Sequence, residues 1–208
     1  MRIIKELYDY REMISNLVKK DLKVRYKGSI LGFLWTFLNP LLQLVVYTIV
    51  FSTIMRVDID KYYIYLFVGL IPWIFFASSI QVGAVSIMMN KDLIKKIYFP
   101  RIILPIVTSN SAFMNMFYSM IVVLLTILVS GIGFSKYMLL LPVVMVVQYI
   151  LVLGMTFIFS ALNVFFRDLE YILNIIVMMW FYLTPIVYNI DMIPERHRFW
   201  FYLNPMTG

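Results

Sequence analysis

The sequence predicts an all-α integral membrane protein, a polytopic bundle of helices, and three observations predict it. Of its 208 residues 62% are hydrophobic and 14% charged, against about half and about a quarter in an ordinary soluble domain. The charges gather into short islands, leaving uncharged stretches at 28–55, 62–90, 102–135, 137–166 and 171–190. Each is at least as long as the roughly 20 residues a helix needs to cross the hydrocarbon core. Lysine and arginine are also unevenly distributed between alternate connections, as expected when cytoplasmic loops retain them. The segment before residue 28, the loop with Lys91, Lys95, Lys96 and Arg101, and the loop with Arg167 hold thirteen; the intervening loops hold five, at Arg56, Lys61, Lys136, Arg196 and Arg198. The expected arrangement is five spans with the N-terminus in the cytoplasm. The net charge of +7 then reads as attraction to anionic lipid and a cytosolic partner, with no call for nucleic acid.

Residues 1–27 come first. Ile3, Leu7, Tyr10, Ile14, Leu17 and Val18 recur at three-to-four spacing, with most charges elsewhere on the wheel, which predicts an amphipathic helix on the cytoplasmic surface. The competing reading is a soluble cap packed on another protein. Gly28 turns the chain inward. Span one contains Asn39 and Pro40, span two Pro72 beside Trp73, and each proline should disturb its helix. As one helix, 102–135 would measure about 51 Å against a core of about 30 Å, so part of it must lie outside the hydrocarbon. Pro105 marks its entry, Gly131 and Gly133 loosen its far end, and Pro142 opens span four. Span five meets Pro185, and the aromatic segment at 198–202 is too short to recross, so 191–208 is expected to dip into the outer surface and return.

Between spans two and three, Asn90 is a good N-cap, Asp92 sits in the first turn, and Pro100 stops a helix before Arg101. Leu93, Ile94 and Ile97 can share an apolar face while Lys91, Lys95 and Lys96 present charge. A basic loop lying on lipid is the plainer alternative.

Several function classes are disfavoured. No Asp, Glu, Lys or Arg falls inside the five stretches, although ion-coupled carriers usually need such groups at depth. No Gly-x-x-x-x-Gly-Lys-Ser/Thr occurs, so active transport must draw on a partner's ATP hydrolysis. Cysteine is absent and His197 is the one histidine, which gives no metal or redox site to expect. A membrane glycosyl or acyl transferase would need acidic or histidine clusters at the surface, and the acids here are scattered. Gln43, Gln81, Asn110, Ser111, Asn115, Gln148, Asn163 and Asn174 do fall at depth. They fit either interhelical hydrogen bonds or the lining of a polar path. The 17% aromatic content fits membrane interfaces or stacking on sugar rings.

Four ordered runs span essentially the whole chain: Lys23-Val-Arg-Tyr-Lys-Gly-Ser-Ile-Leu-Gly-Phe-Leu-Trp-Thr-Phe-Leu-Asn-Pro40; Asn90-Lys-Asp-Leu-Ile-Lys-Lys-Ile-Tyr-Phe-Pro-Arg101 with Leu104-Pro105; Asn163-Val-Phe-Phe-Arg-Asp-Leu169; and Leu183-Thr-Pro-Ile-Val-Tyr188 with Tyr202-Leu-Asn-Pro205. In these the sequence resembles permeases of type-2 ABC exporters for O-antigen, teichoic acid and related polysaccharides. The resemblance implies a homodimer in a bacterial or archaeal cytoplasmic membrane, paired with two copies of a separate ATPase that holds the ATP and Mg. Its cargo would be undecaprenyl-linked glycan moved outward. It implies one transmembrane domain over 1–208, with six spans and re-entrant outer helices between the fifth and sixth. The sequence ends at Gly208, before a sixth span, and is expected to be a C-terminal truncation or fragment.

The resemblance further implies that Asn90, Asp92, Leu93, Ile94, Lys95, Lys96, Ile97, Tyr98, Phe99, Pro100 and Arg101 form a coupling helix against the ATPase, with Arg167 and Asp168 as a second cytoplasmic contact. Because the family places spans one and five along the conduit, Trp35, Tyr47, Trp180 and Tyr188 are the expected glycan-facing aromatics. A type-2 ABC permease for a drug, peptide or lipid would share the fold and is the alternative.

Overall fold

The computed structural model describes residues 2–25, 27–50, 61–131 and 136–207. The expectations placed on Arg56 and Gly133 lie outside these. Among the described residues there are nine α-helices and no strand: α1 Arg2–Asp9, α2 Arg11–Arg25, α3 Trp35–Thr48, α4 Tyr62–Met89, α5 Lys91–Lys96, α6 Ile103–Val129, α7 Leu141–Phe165, α8 Leu169–Tyr182 and α9 Glu195–Tyr202.

Three helices, built around α4, α6 and α7, are long and apolar enough to cross a membrane. Among the described residues, the α-helices in the first and fifth uncharged stretches are shorter than expected, α3 passing into a π-helical turn at 49–50 where the description breaks off. α3 and α8 each have 14 residues, about 21 Å. Local chemistry sets both limits. Gly28 and Gly32 adopt left-handed backbone at φ +84° and +48°, which delays helix until a 3-10 turn over Gly32–Leu34 that leads into α3 at Trp35. Pro185 disfavours helical backbone at Thr184, so α8 ends at Tyr182. The 102–135 stretch is cut to Ile103–Val129, and Gly131 at φ +75° ends it as a left-handed residue beyond the last turn.

Helix α4 is the axis of the bundle and packs against α3, α6, α7 and α8. Leu66, Phe67, Leu70, Ile71, Phe75, Phe76 and Ile80 are each no more than 2% exposed, and α4 is apolar all round, as a central helix must be. The α4–α7 seam closes at Gly83, where an added Cβ would overlap Thr156 Cγ2. Pro40 leaves the Thr36 carbonyl without its helical donor, and Ser119 Oγ of α6 donates to it at 3.4 Å. Near Pro72 the cross-helix bond is a different one: Gln148 Nε2 of α7 donates to the Pro72 carbonyl itself at 2.9 Å, joining α4 to α7. Pro105 and Pro142 sit in the first turns of α6 and α7, where the missing N–H has no partner to lose.

A second, smaller core lies at the end of the bundle where α5 joins α4 to α6. Phe99, Ile103, Leu104 and Val107 are buried there, with Leu7, Tyr10, Met13, Ile14, Leu17 and Val18 packed against them. The apolar stripe of the N-terminal segment therefore covers the chain's own α5–α6 corner. The segment is also two helices, meeting at Tyr10.

Candidate functional site: a polar aromatic groove and an apolar knob

Helices α3, α4 and α8 leave a groove of about 370 Å³ between them. α3 contributes Gln43 and Tyr47 from successive turns, α4 contributes Trp73, Ser78 and Gln81, and α8 contributes Asn174, Phe181 and Tyr182. Its polar groups are neutral amides and hydroxyls, and no ionisable acid or base lines it. The aromatic rings form a continuous series: Tyr47 stacks on Phe181 at 5.8 Å, Phe181 meets Trp73 at 5.6 Å, Trp73 meets Phe76 at 5.2 Å and Phe76 meets Trp180 edge-on at 5.1 Å. Such contacts hold ring planes in place, which gives the groove a rigid wall. A surface of fixed rings and uncharged hydrogen-bonding groups suits a hydroxyl-rich, uncharged ligand.

The four aromatics expected along a path do not share this groove. Tyr47 lines it. Trp35 sits in an adjoining cavity and donates its indole N–H to Ser29 Oγ at 2.8 Å, closing the loop ahead of α3. Trp180 faces an apolar cleft against Trp200, Phe201 and Pro205, and its indole N–H donates to Asn204 Oδ1 at 2.9 Å. Tyr188 braces the loop after α8: its hydroxyl donates to the Tyr182 carbonyl at 2.7 Å, and its own carbonyl accepts from Tyr65 at 2.8 Å.

The polar residues at depth divide in the same way. Gln148 is held by Pro72, and Asn110 Oδ1 accepts from the Tyr149 hydroxyl, so these two stitch helices together. Gln43, Gln81 and Asn174 line the groove. Sequence reasoning listed these three without separating them from the stitches, and missed Tyr182. One signal was available, since Gln43 lies four residues before Tyr47 and Asn174 four before Met178, on one helical face.

At the end of the bundle that carries the smaller core, α5 follows α4 through Asn90. That asparagine does not cap α5; its Nδ2 donates back to the Ser86 carbonyl at 2.8 Å. Asp92 in the first turn and Lys95 and Lys96 in the last match the helix dipole, worth about 0.3–1 kcal/mol each. The helix ends at Lys96, with Ile97 already extended, so Pro100 is not what stops it. The expected apolar face is also split. Leu93 and Ile94 pack inward on the smaller core, together with buried Phe99, whereas Ile97 is 52% and Tyr98 94% exposed. Pro100 is half-buried and Arg101 exposed. Met89, Phe165 and Phe166 are likewise exposed, next to exposed Arg167 and Asp168. The α4–α7 contacts at Pro72 with Gln148 and Ser79 with Thr156 run in parallel register, which brings Met89 level with Phe165 at the same end. The bundle thus presents an apolar knob of Ile97 and Tyr98, flanked in sequence by exposed Lys95, Lys96 and Arg101.

Comparison with known proteins places this architecture. The model of the ABC-2 type transporter family matches residues 12–207. The "O-antigen export system permease protein RfbA" of Myxococcus xanthus is 38% identical over 210 residues, covering 100% of this chain and 81% of that protein. Two proteins of the same description from Klebsiella pneumoniae are each 39% identical over 203 residues, covering 97% of this chain and 77% of theirs. A family match across nearly the whole chain, long apolar helices around a buried α4 and full-length similarity to export permeases agree, and the chain belongs to the ABC-2 type transporter family.

Proposed function

We propose that this protein is the membrane-spanning permease subunit of an ATP-driven exporter of a lipid-linked cell-surface polysaccharide of the O-antigen class. The observation that carries the reading is the groove between α3, α4 and α8, with fixed aromatic faces and neutral amides and no charge. Aromatic faces stack on sugar rings, amides bond hydroxyls, and the absence of fixed charge lets a long neutral polymer slide without being trapped. The names of the similar permeases from Myxococcus and Klebsiella point the same way. The groove is open along one side, and a second copy facing it would complete an enclosed route. α3 and α8 serve as the first and fifth of six spans, with the N-terminus on the cytoplasmic side of the cytoplasmic membrane. On this reading Lys136→Cys is labelled from outside intact cells by an impermeant thiol reagent and Lys95→Cys is not.

Energy enters from a separate ATPase, two copies per permease dimer, that seats the Ile97–Tyr98 knob, with Arg167 and Asp168 as a second contact. Desolvated apolar anchors of this kind dominate the affinity of such interfaces. The decisive experiment is co-purification with the cognate ATPase, followed by measuring which lipid-linked glycan stimulates ATP hydrolysis. Stimulation by glycan but not by a drug, peptide or simple lipid is expected, and the opposite selectivity would replace this reading with a permease for those cargoes. The double variant Ile97→Asp with Tyr98→Asp should insert normally yet lose the ATPase by about tenfold or more in pull-down, because buried anchors cost about 2 kcal/mol or more. Undiminished binding and export by that variant would show that the knob is not the coupling surface.

A further inference from the structure

Asn204, in the turn that follows α9, is bonded through its backbone and through both ends of its amide. Its N–H donates to the Phe201 carbonyl at 3.1 Å, and its carbonyl accepts from the Thr207 N–H at 3.0 Å. In the side chain, Oδ1 accepts from the Trp180 indole N–H at 2.9 Å and from the Met206 N–H at 3.0 Å. Nδ2 donates to Thr184 Oγ1 at 2.9 Å and to the Leu183 carbonyl at 3.2 Å. The amide can face only one way, because the indole and the Met206 N–H are donors alone and the Leu183 carbonyl is an acceptor alone. The residue type follows from this. Aspartate has no proton for Leu183, and the bond to Met206 across Pro205 is the turn that a short Asx side chain makes with the backbone two residues on. No residue of α9 is buried, and Phe199, Trp200 and Tyr202 are each at least 65% exposed, so packing does not hold that helix on the bundle. Its C-terminal turn is tied to the end of α8 by the Asn204 amide.

With its N–H held, the Trp180 ring cannot turn without losing that bond. Phe76, which it meets edge-on at 5.1 Å, is 0% exposed and so close-packed that it has no free space in which to move alone. Phe76 meets Trp73 at 5.2 Å. Trp73 lines the groove and meets Phe181 of the opposite wall at 5.6 Å. A displacement at Asn204 is therefore passed from ring to ring into the groove, although no residue after Tyr182 lines it. We propose that Asn204 is a positioning residue for the groove: it fixes Trp180 and, through Phe76, the ring plane of Trp73 against which the cargo stacks. The segment after α8 thereby sets the shape of a binding surface that it does not touch. This rests on the reading of the groove as a glycan route.

The test uses the permease labelled with 5-fluorotryptophan, assembled with unlabelled ATPase in lipid nanodiscs, and reads its four tryptophans by fluorine NMR. Each signal is assigned by its own Trp→Phe variant. Asn204→Ala should move the signals of Trp180 and Trp73 and leave in place that of Trp35, which is bonded at Ser29. In the same particles, undecaprenyl-linked O-antigen glycan should half-saturate its stimulation of ATP hydrolysis at about a fivefold higher concentration, the usual effect of losing one neutral bond, with the maximal rate unchanged. Asn204→Asp keeps both acceptor bonds and loses both donor bonds. It should lower the melting temperature while leaving Trp73 and the half-saturating concentration near wild type. Asn204→Ala combined with Trp180→Phe should shift that concentration no further than either change alone, because both remove the same bond. If Asn204→Ala does not assemble, Trp180→Phe, which keeps the other Asn204 bonds, should itself move Trp73 and raise the concentration by the same factor. A folded Asn204→Ala protein in which Trp73 stays put, or one that loses stability with its half-saturating concentration unchanged, would overturn the proposal. Wild-type stimulation by glycan with Trp73 unmoved in the variant removes the positioning role alone. A Trp73 signal that follows Asn204, with no stimulation by glycan, leaves the bracing in place and removes the export reading.

Discussion

Gln148 and Gln81 are the same residue type on adjacent helices of the bundle, and the structure treats them in opposite ways. Gln148 lies in the α4–α7 seam, where Gly83 lets the helices approach closely and the Pro72 carbonyl receives its amide. Gln81 lies on the neighbouring face of α4, toward α3 and α8, where the helices stand apart and its amide lines an opening with Gln43 and Asn174. The difference teaches that a polar side chain within an apolar helix takes its role from the distance to the next backbone. In the seam it is a stitch; in the groove it is a surface for something else.

The largest effect expected from testing this contrast is at Gly83. A Cβ there overlaps the γ-methyl of Thr156, a β-branched side chain with little rotamer freedom in a helix. Gly83→Ala should lower stability by about 1–3 kcal/mol, read as a drop in melting temperature by fluorescence-detected size exclusion. Adding Thr156→Ala should restore most of the loss, and no rescue would mean that the seam is not what Gly83 protects. A middle effect belongs to Gln148→Leu, which removes the bond to Pro72 and should cost about 1 kcal/mol while leaving export per folded molecule near normal. The smallest effect on stability, within about 0.5 kcal/mol, is expected for Gln81→Leu and Asn174→Leu, yet these should reduce export several-fold in a surface-glycan assay. If Gln81→Leu destabilises as much as Gln148→Leu and exports normally, the groove residues are stitches too and the contrast collapses.

Much was legible from sequence because it depends on local or additive chemistry. The long spans follow from uncharged length, and the turns around them from Gly28, Gly131, Pro142 and Pro185, whose backbone preferences act on their own neighbours. The N-terminal amphipathic segment and the short basic helix near 91–96 follow from periodicity and charge. What failed involved a choice between partners. Asn90 has the composition of an N-cap, but Ser86 offers its carbonyl one turn back, and that bond won. Leu93 and Ile97 were assigned one face, but the chain turns extended at Ile97, which sends the two to opposite sides. The bonds that the polar atoms of Trp35, Trp180 and Tyr188 make, to Ser29, Asn204 and Tyr182, were not legible either, because aromatic content carries no information on partners.

By itself the sequence determined that this is a helical membrane protein, which stretches are long and uncharged, which segments carry the positive charge, and that its family is one of export permeases. Each of these depends on quantities that sum along the chain, such as hydropathy, charge and motif order. Only the tertiary structure decided which polar and aromatic side chains are spent on packing and which remain to meet a ligand. That outcome turns on whether a neighbouring helix approaches within hydrogen-bonding distance, and the approach is set by side-chain volume at contacts as distant in sequence as Gly83 and Thr156.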